Sequence, residues 1–303
     1  MPKKKIAVLA GGWSPERDIS LLSGQSVIDA LSSSNNYELS FVDCTKDIPK
    51  LIDNLSPKPD LVFIALHGEG GEDGVIQGIL EALSIPYTHS GVLASAMGMN
   101  KAKLKEFIQT ENISTPAHIV ASPKKIKESP PLPFPFIIKP VSQGSSVGVY
   151  IIKNQEDLDA FDADSWVFGA AMAEEYIPGR ELSASVILDK PYPVVELNPK
   201  QGFYSYEAKY TEGKTDHYLP ARIPDCITKQ AQETALKVHK LLGCKSVSRT
   251  DFRYDDTRKD SLQFLEINTH PGFTPLSILP EAAQFEGVNF PALCKMIIED
   301  ALT

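Results

Sequence analysis

The chain is short of several things, and each shortage closes off a class of function. Its 303 residues hold four cysteines, Cys44, Cys226, Cys244 and Cys294, with no C-x-x-C pair. That scatter fits neither a zinc site nor a disulfide framework and leads us to expect reduced, partly buried thiols in a cytoplasmic protein. No apolar run approaches the ~18 residues of a membrane span. The basic lead-in Pro2-Lys3-Lys4-Lys5 and the apolar Ile6–Ala10 are cut off by Gly11-Gly12 and by charged Glu16-Arg17-Asp18, so this start reads as a first β-strand rather than a signal peptide. Positive charge is also scarce. Thirty Lys+Arg stand against 39 Asp+Glu, a net of −9, the wrong balance for broad contact with nucleic acid or an anionic membrane. An anion must therefore be met in a local pocket or through metal ions. Neither G-x-x-x-x-G-K-[ST] nor G-x-G-x-x-G occurs, which removes a Walker A loop and counts against a nicotinamide Rossmann enzyme.

What is present is an ordinary globular composition, 42% hydrophobic and 23% charged, over a length that suggests about two domains or three small ones at ~150 residues each. Residues 1–96 alternate strand and helix. Ile6–Ala10, Glu38–Val42 and the strongly apolar Leu61–Leu66 read as buried strands, with helices through Leu21–Leu31, Ile48–Leu55 and Gly74–Leu83. This βαβα order implies an α/β fold with a doubly wound parallel sheet. Lys101–Gln109 looks helical. Pro116–Pro135 carries too many prolines for a long helix and reads as short strands and loops. Phe136–Lys139 and Val149–Lys153 form a hairpin with a small-residue tip. Asp225–Leu242 is an amphipathic helix stopped by Gly243, and Ser246–Tyr254 pairs with Leu262–Asn268 around the turn Asp255–Asp260.

That last hairpin is the most informative segment. Glu266 and Asn268, two apart, share a strand face, and the turn places Asp251 opposite Glu266. Two carboxylates and an amide oxygen on one patch suit a hard cation such as Mg²⁺; the alternative is a solvated hairpin face. Arg249 shares the face, where a guanidinium suits a phosphate or developing oxyanion or simply a salt bridge to Asp251 or Glu266. The tip Gln143–Gly148 could fold its N–H groups over phosphates, with Lys139 adding charge, although many hairpins have Gly/Ser tips. Glu16 and His67 follow the first and third strands, at the sheet edge where α/β proteins bind ligands; a buried structural histidine is the plainer reading of His67. The polar, aromatic loop Gln201–Thr215 is long enough to be a lid or a packed structural loop.

Taken together, these segments closely resemble the D-alanine–D-alanine ligases of the ATP-grasp superfamily. The likeness runs nearly end to end: Ala10-Gly11-Gly12 with Glu16–Ser20, Ala65–Gly68 with Gly71–Gly74, Tyr87 with Ser90-Gly91, Asn100-Lys101, Ile138–Pro140 with Gly144–Gly148, Tyr206–Tyr210, Arg249–Asp251, and Glu266–Thr269 with Pro271-Gly272. The resemblance implies an N-terminal substrate domain (1–96) followed by two α+β ATP-grasp subdomains (97–180 and 181–303). It implies that ATP phosphorylates one D-alanine carboxylate and that the amine of a second D-alanine displaces the phosphate, for peptidoglycan synthesis. Phosphorylation supplies a leaving group, and the intermediate must be kept from water.

By the same resemblance, Asp251, Glu266 and Asn268 would bind two Mg²⁺ (or Mn²⁺). Lys101, Lys139, Ser145, Ser146 and Lys209 would serve the phosphates, Glu174 and Glu181 the adenine amino group and the ribose, and Tyr176-Ile177 the base pocket. Glu16 would hold the first ammonium with His67 near its carboxylate. Arg249 and the Gly272 N–H would stabilise the oxyanion, and Ser277 would hold the second carboxylate. Glu16, Ser145 and Tyr210 would form a triad closing the Lys209 loop, with Tyr210 the version that goes with D-alanine as second substrate. A homodimer is also implied. Leu276 stands where many relatives carry a polar residue, and Gln143 and Ser205 replace acidic ones. Two other readings are a silent ATP-binding protein and a ligase with a different second substrate, such as a D-hydroxy acid.

Overall fold

The computed structural model describes residues 2–200 and 213–303, and three sheets organise them. The first contains β1 (Lys4–Gly11), β2 (Tyr37–Cys44) and β3 (Leu61–Ile64) in the order β2-β1-β3, all parallel. A single parallel bridge from Val62 to Tyr87 extends it. Residues 6–11 of β1 and all of β3 are buried, as continuous apolar runs require when helices cover both faces. The helices Arg17–Ser32, Ile48–Asn54 and Val75–Ala82 supply that cover.

The second sheet is antiparallel, β4-β7-β5-β6, built from β4 (His118–Ala121), β5 (Phe136–Pro140), β6 (Tyr150–Ile152) and β7 (Ala171–Glu175). The proline-rich stretch Pro116–Pro135 supplies β4, in keeping with the short strands and loops read there, and adds a six-residue helix, Pro123–Glu128, that was not expected. Pro123 sits in the first turn, where a missing N–H costs nothing, and the Ser122 side chain caps the helix by accepting from the Lys125 N–H.

The third sheet holds β8 (Arg180–Ile187), β9 (Lys190–Pro191), β10 (Val195–Pro199), β11 (Thr215–Tyr218), β12 (Val247–Tyr254) and β13 (Leu262–Asn268). Its order is β11-β10-β8-β12-β13, with β9 on β8. The helix Asp225–Leu242 ends, as expected, on Gly243, whose φ of 66° is the left-handed C-cap conformation that glycine accepts without strain.

The cores cross between these sheets. Leu104 and Ile108 of the helix Lys101–Gln109 are buried with Leu182, Ala184, Phe252 and Phe264 of the third sheet. At the other end of the chain, Leu293, Ile297 and Ile298 of the helix Phe290–Ala301 pack with Ile6, Val8 and Phe63 of the first. Each such side chain contributes roughly 1.5–3 kcal/mol by leaving water, so the last helix belongs energetically to the first sheet. Helix Lys101–Gln109 starts on Asn100, whose side chain accepts from the Lys103 N–H, and it directs Lys101 and Lys105, one turn apart, inward. Among the described residues no helix is long and apolar enough to cross a membrane.

Candidate active site

The C-terminal edge of the first sheet is stitched by hydroxyls. The Gly11 N–H donates to Ser20 Oγ at 2.8 Å, and Ser20 Oγ donates to the Ala65 carbonyl at 2.7 Å, joining the ends of β1 and β3. Ser14 Oγ donates to the His67 carbonyl at 2.7 Å and accepts from the Glu16 N–H at 3.1 Å. Glu16 and His67 are therefore fixed relative to each other, and both are buried. The His67 ring lies between Ser23 Oγ (2.9 Å from Nε2) and Glu72 Oε1 (3.4 Å from Nδ1).

The small-residue tip of the β5–β6 hairpin reaches this edge from the second sheet. Ser145 Oγ donates to Glu16 Oε1, and Ser145 and Ser146 have φ of 51° and 59°, a turn that brings the tip back on itself. Lys101 ties the same tip to the third sheet: its Nζ donates to the Gln143 carbonyl at 2.6 Å and lies 3.1 Å from Glu266 Oε2.

In the third sheet Asp251 pairs directly with Glu266 and Arg249 with Asn268, while the register then skips Leu265. The bulge keeps the two carboxylates opposed before the strands re-register. Arg249 takes both oxygens of Asp251, at 3.0 Å and 2.8 Å, and Ser183 Oγ donates to Asp251 Oδ1 at 2.7 Å. Arg249 thus makes the salt bridge to Asp251 that its strand position allows. Among the described residues no three His, Cys, Asp or Glu form a metal cluster, so a third oxygen here comes from the Asn268 amide. That oxygen already accepts from the His270 N–H at 2.8 Å and retains a second lone pair. Two carboxylates and an amide oxygen from adjacent strands form a donor set that fits a hard divalent cation.

Two cavities meet at this hairpin. One, of about 660 Å³, is lined by Glu16, His67, Ser145, Arg249, Gly272 and Ser277 among others. The other, of about 1020 Å³, lies between the second and third sheets and is lined by Lys139, Ser146, Glu174, Tyr176, Ile177 and Glu181 among others. Lys101, Gly144 and Glu266 line both. Glu174, on β7, is fully buried between Lys105 and Lys139; burial pushes its carboxyl up, but the two ammonium groups outweigh this and hold it below its ordinary value. Lys209 and Tyr210 lie outside the described residues.

Several positioning groups escaped the sequence reading. Arg253 donates to the carbonyls of Ile177 (3.1 Å) and Gly179 (2.9 Å) and lies 3.2 Å from Glu181, so one guanidinium shapes the crossing from β7 to β8. Gln77 donates to the Gly71 carbonyl (2.7 Å) and lies 3.0 Å from His270 Nε2. Because an amide nitrogen must face Gly71, His270 accepts at Nε2 and carries its proton at Nδ1, toward Thr269. His270 stacks on His89 at 5.1 Å, and burial holds both well below the usual imidazole range, His89 at about 3. A polar Gln77 beside Ile76 and Leu80 was the available signal.

The family models decide the identity. "D-ala D-ala ligase N-terminus" matches residues 49–90, and "D-ala D-ala ligase C-terminus" matches residues 93–299. The chain belongs to the D-alanine–D-alanine ligase family. It is 48% identical over 300 residues to the D-alanine–D-alanine ligase of Wolbachia sp. subsp. Drosophila simulans, covering 98% of this chain and 93% of that one. With the ligase of Acidiphilium cryptum it shares 45% over 299 residues, 98% of each chain. Among solved structures, the Bacillus anthracis ligase complexed with ATP superposes with a TM-score of 0.84 at 31% identity, over 100% and 98% of the two chains. The VanG D-Ala:D-Ser ligase of Enterococcus faecalis gives 0.82 at 30%, over 99% and 100%. The α/β architecture, a parallel-sheet N-terminal domain followed by antiparallel ATP-grasp sheets, is that of these ligases.

Proposed function

We propose a division of labour for a D-alanine–D-alanine ligase that uses ATP to join two D-alanines for peptidoglycan synthesis. The 1020 Å³ cavity takes the nucleotide. Glu174 and Glu181 meet the adenine amino group and the ribose, Tyr176 and Ile177 line the base pocket, and Lys101, Lys139, Ser145, Ser146 and Lys209 hold the phosphates. The 660 Å³ cavity takes the amino acids. Glu16 pairs with the first ammonium, His67 stands by its carboxylate, and Ser277 holds the second carboxylate. Asp251, Glu266 and Asn268 would hold two Mg²⁺, with Mn²⁺ a substitute; such ions supply charge neutralisation on transferring phosphate.

One observation carries this reading. The Lys101–Glu266 pair stands in the shared wall of the two cavities, so a terminal phosphate from one side reaches a carboxylate held on the other. Glu16 and the phosphate loop are tied by the Ser145 bond, which aligns the first D-alanine with that phosphate. Attack by the carboxylate oxygen gives D-alanyl phosphate and ADP. The second amine then adds to the carbonyl, Arg249 and the Gly272 N–H stabilise the oxyanion, and phosphate leaves. By the likeness to the family, Tyr210 would complete a triad with Glu16 and Ser145 that shields the intermediate from water.

Incubation with ATP, Mg²⁺ and D-alanine should yield phosphate and dipeptide in equal amounts. Phosphate without dipeptide, or neither, would overturn the reading. A panel of second substrates separates D-alanine from D-serine or a D-hydroxy acid. The four free thiols fit a reducing cytoplasm, and the likeness to the family favours a homodimer, which sedimentation would measure.

A further inference from the structure

At the wall of the nucleotide-side cavity, Glu174 stands between two lysines, one of which has no role assigned above. Glu174 is 1% exposed, and each of its oxygens has its own ammonium: Lys139 Nζ at 2.5 Å from Oε2 and Lys105 Nζ at 2.8 Å from Oε1. The two lysines are not equivalent. Lys139 lines the cavity, whereas Lys105 does not and is fully buried. Lys105 can therefore touch no ligand. Its remaining contact is a donated hydrogen bond to the Phe264 carbonyl of β13 at 3.2 Å. Burial pushes Lys105 down to about 8 against the pull of Glu174, so it keeps its proton at neutral pH.

A buried charge persists only when it is paired. In this cluster one carboxylate serves two lysines, so the three side chains together carry a net positive charge, with Glu266 a more distant pull on Lys105. Without Lys105, Glu174 and Lys139 would form a closed, neutral ion pair, and an incoming phosphate would have to compete with Glu174 for Lys139. With Lys105 in place, Glu174 keeps a partner when Lys139 turns toward the phosphate.

We propose that Lys105 is a positioning residue, the permanent counter-ion of Glu174 that leaves Lys139 free to bind a nucleotide phosphate. The inference rests on the nucleotide reading of this cavity. It separates from a purely structural role because it concerns phosphate specifically: Lys105 should favour ligands that carry phosphate over those that do not.

The test compares ADP with adenosine, by calorimetry or competition, in the full chain. For Lys105→Met the preference for ADP over adenosine should fall about tenfold or more, the size of one lost charge-assisted contact. The KM for ATP should rise while the KM values for D-alanine stay unchanged. Lys105→Arg should retain the preference. In Lys105→Met/Glu174→Gln no carboxylate holds Lys139, so the preference should return to about the wild-type value even though the adenine contact is altered. This charge-balanced variant tests the proposal even if Lys105→Met does not fold. An unchanged preference in Lys105→Met, or a lost preference in the double variant, would overturn the proposal. Failure of the wild-type chain to bind ADP at all would instead strike the nucleotide reading.

Discussion

The two walls of the site are held by different forces. At the edge of the first sheet, the Ser14 and Ser23 hydroxyls hold Glu16 and His67, Ser20 ties the strand ends beside them, and Glu72 lies on the far side of the His67 ring. On the second and third sheets the residues are fixed by opposite charge: Lys101 with Glu266, Arg249 with Asp251, and two lysines with Glu174. Hydroxyl bonds set a position without bringing in a charge. Charge pairs set a position and also hold cations at the cavity wall. The difference suits the division of labour proposed above, in which one side recognises a small zwitterion and the other accepts a polyanion.

Substitutions can break this contrast, and the largest effect is expected on the charged side. Glu266→Gln keeps shape and removes charge from the hairpin. Turnover should fall by ~10²–10³-fold, with little change in melting temperature, because Glu266 is partly exposed. Equal loss of folding and turnover would make Glu266 structural. On the neutral side, Ser14→Ala removes the bonds to His67 and Glu16 without altering any charge. Affinity for D-alanine should weaken by about tenfold while the KM for ATP holds; a matching rise in both would show that the two walls are not separable.

Smaller effects sharpen the picture. Gln77→Leu leaves the Gly71 carbonyl and His270 Nε2 without their donor but also removes the buried, unpartnered Gln77 Oε1. The net loss in urea unfolding should be only about 1 kcal/mol, with a modest fall in kcat through the loop that bears Gly272. The pH dependence follows from two stacked, buried histidines. His89 and His270 sit below their ordinary 6.5 when folded, so below that pH the unfolded chain binds more protons than the folded one. Stability is full above pH 6.5 and should fall below it by up to ~1.4 kcal/mol per pH unit for each histidine. Replacing His89 with an apolar residue should flatten the slope.

Much of this was legible in the sequence where the signal is local. The helices Lys101–Gln109 and Asp225–Leu242 and the strand Leu262–Asn268 begin and end where spacing and Gly243 place them. The opposition of Asp251 to Glu266 follows from counting outward from a turn. The Glu174–Lys105 pair could not be counted: its members are 69 residues apart, and a lysine next to Leu104 and Ile108 reads as a helix surface until β7 covers it. Strand β7 itself, short and ending on Glu174-Glu175, gave no periodic signal. The helix Phe290–Ala301 went unread because its partners, Ile6, Val8 and Phe63, lie at the other end of the chain.

The most direct measurement follows the oxygen atoms. With D-alanine carrying heavy oxygen in its carboxylate, each turn of the reaction should deliver one labelled oxygen into the released phosphate for each dipeptide formed. Phosphate free of label would mean that ATP is split by water and that the carboxylate never crosses the wall formed by Lys101 and Glu266.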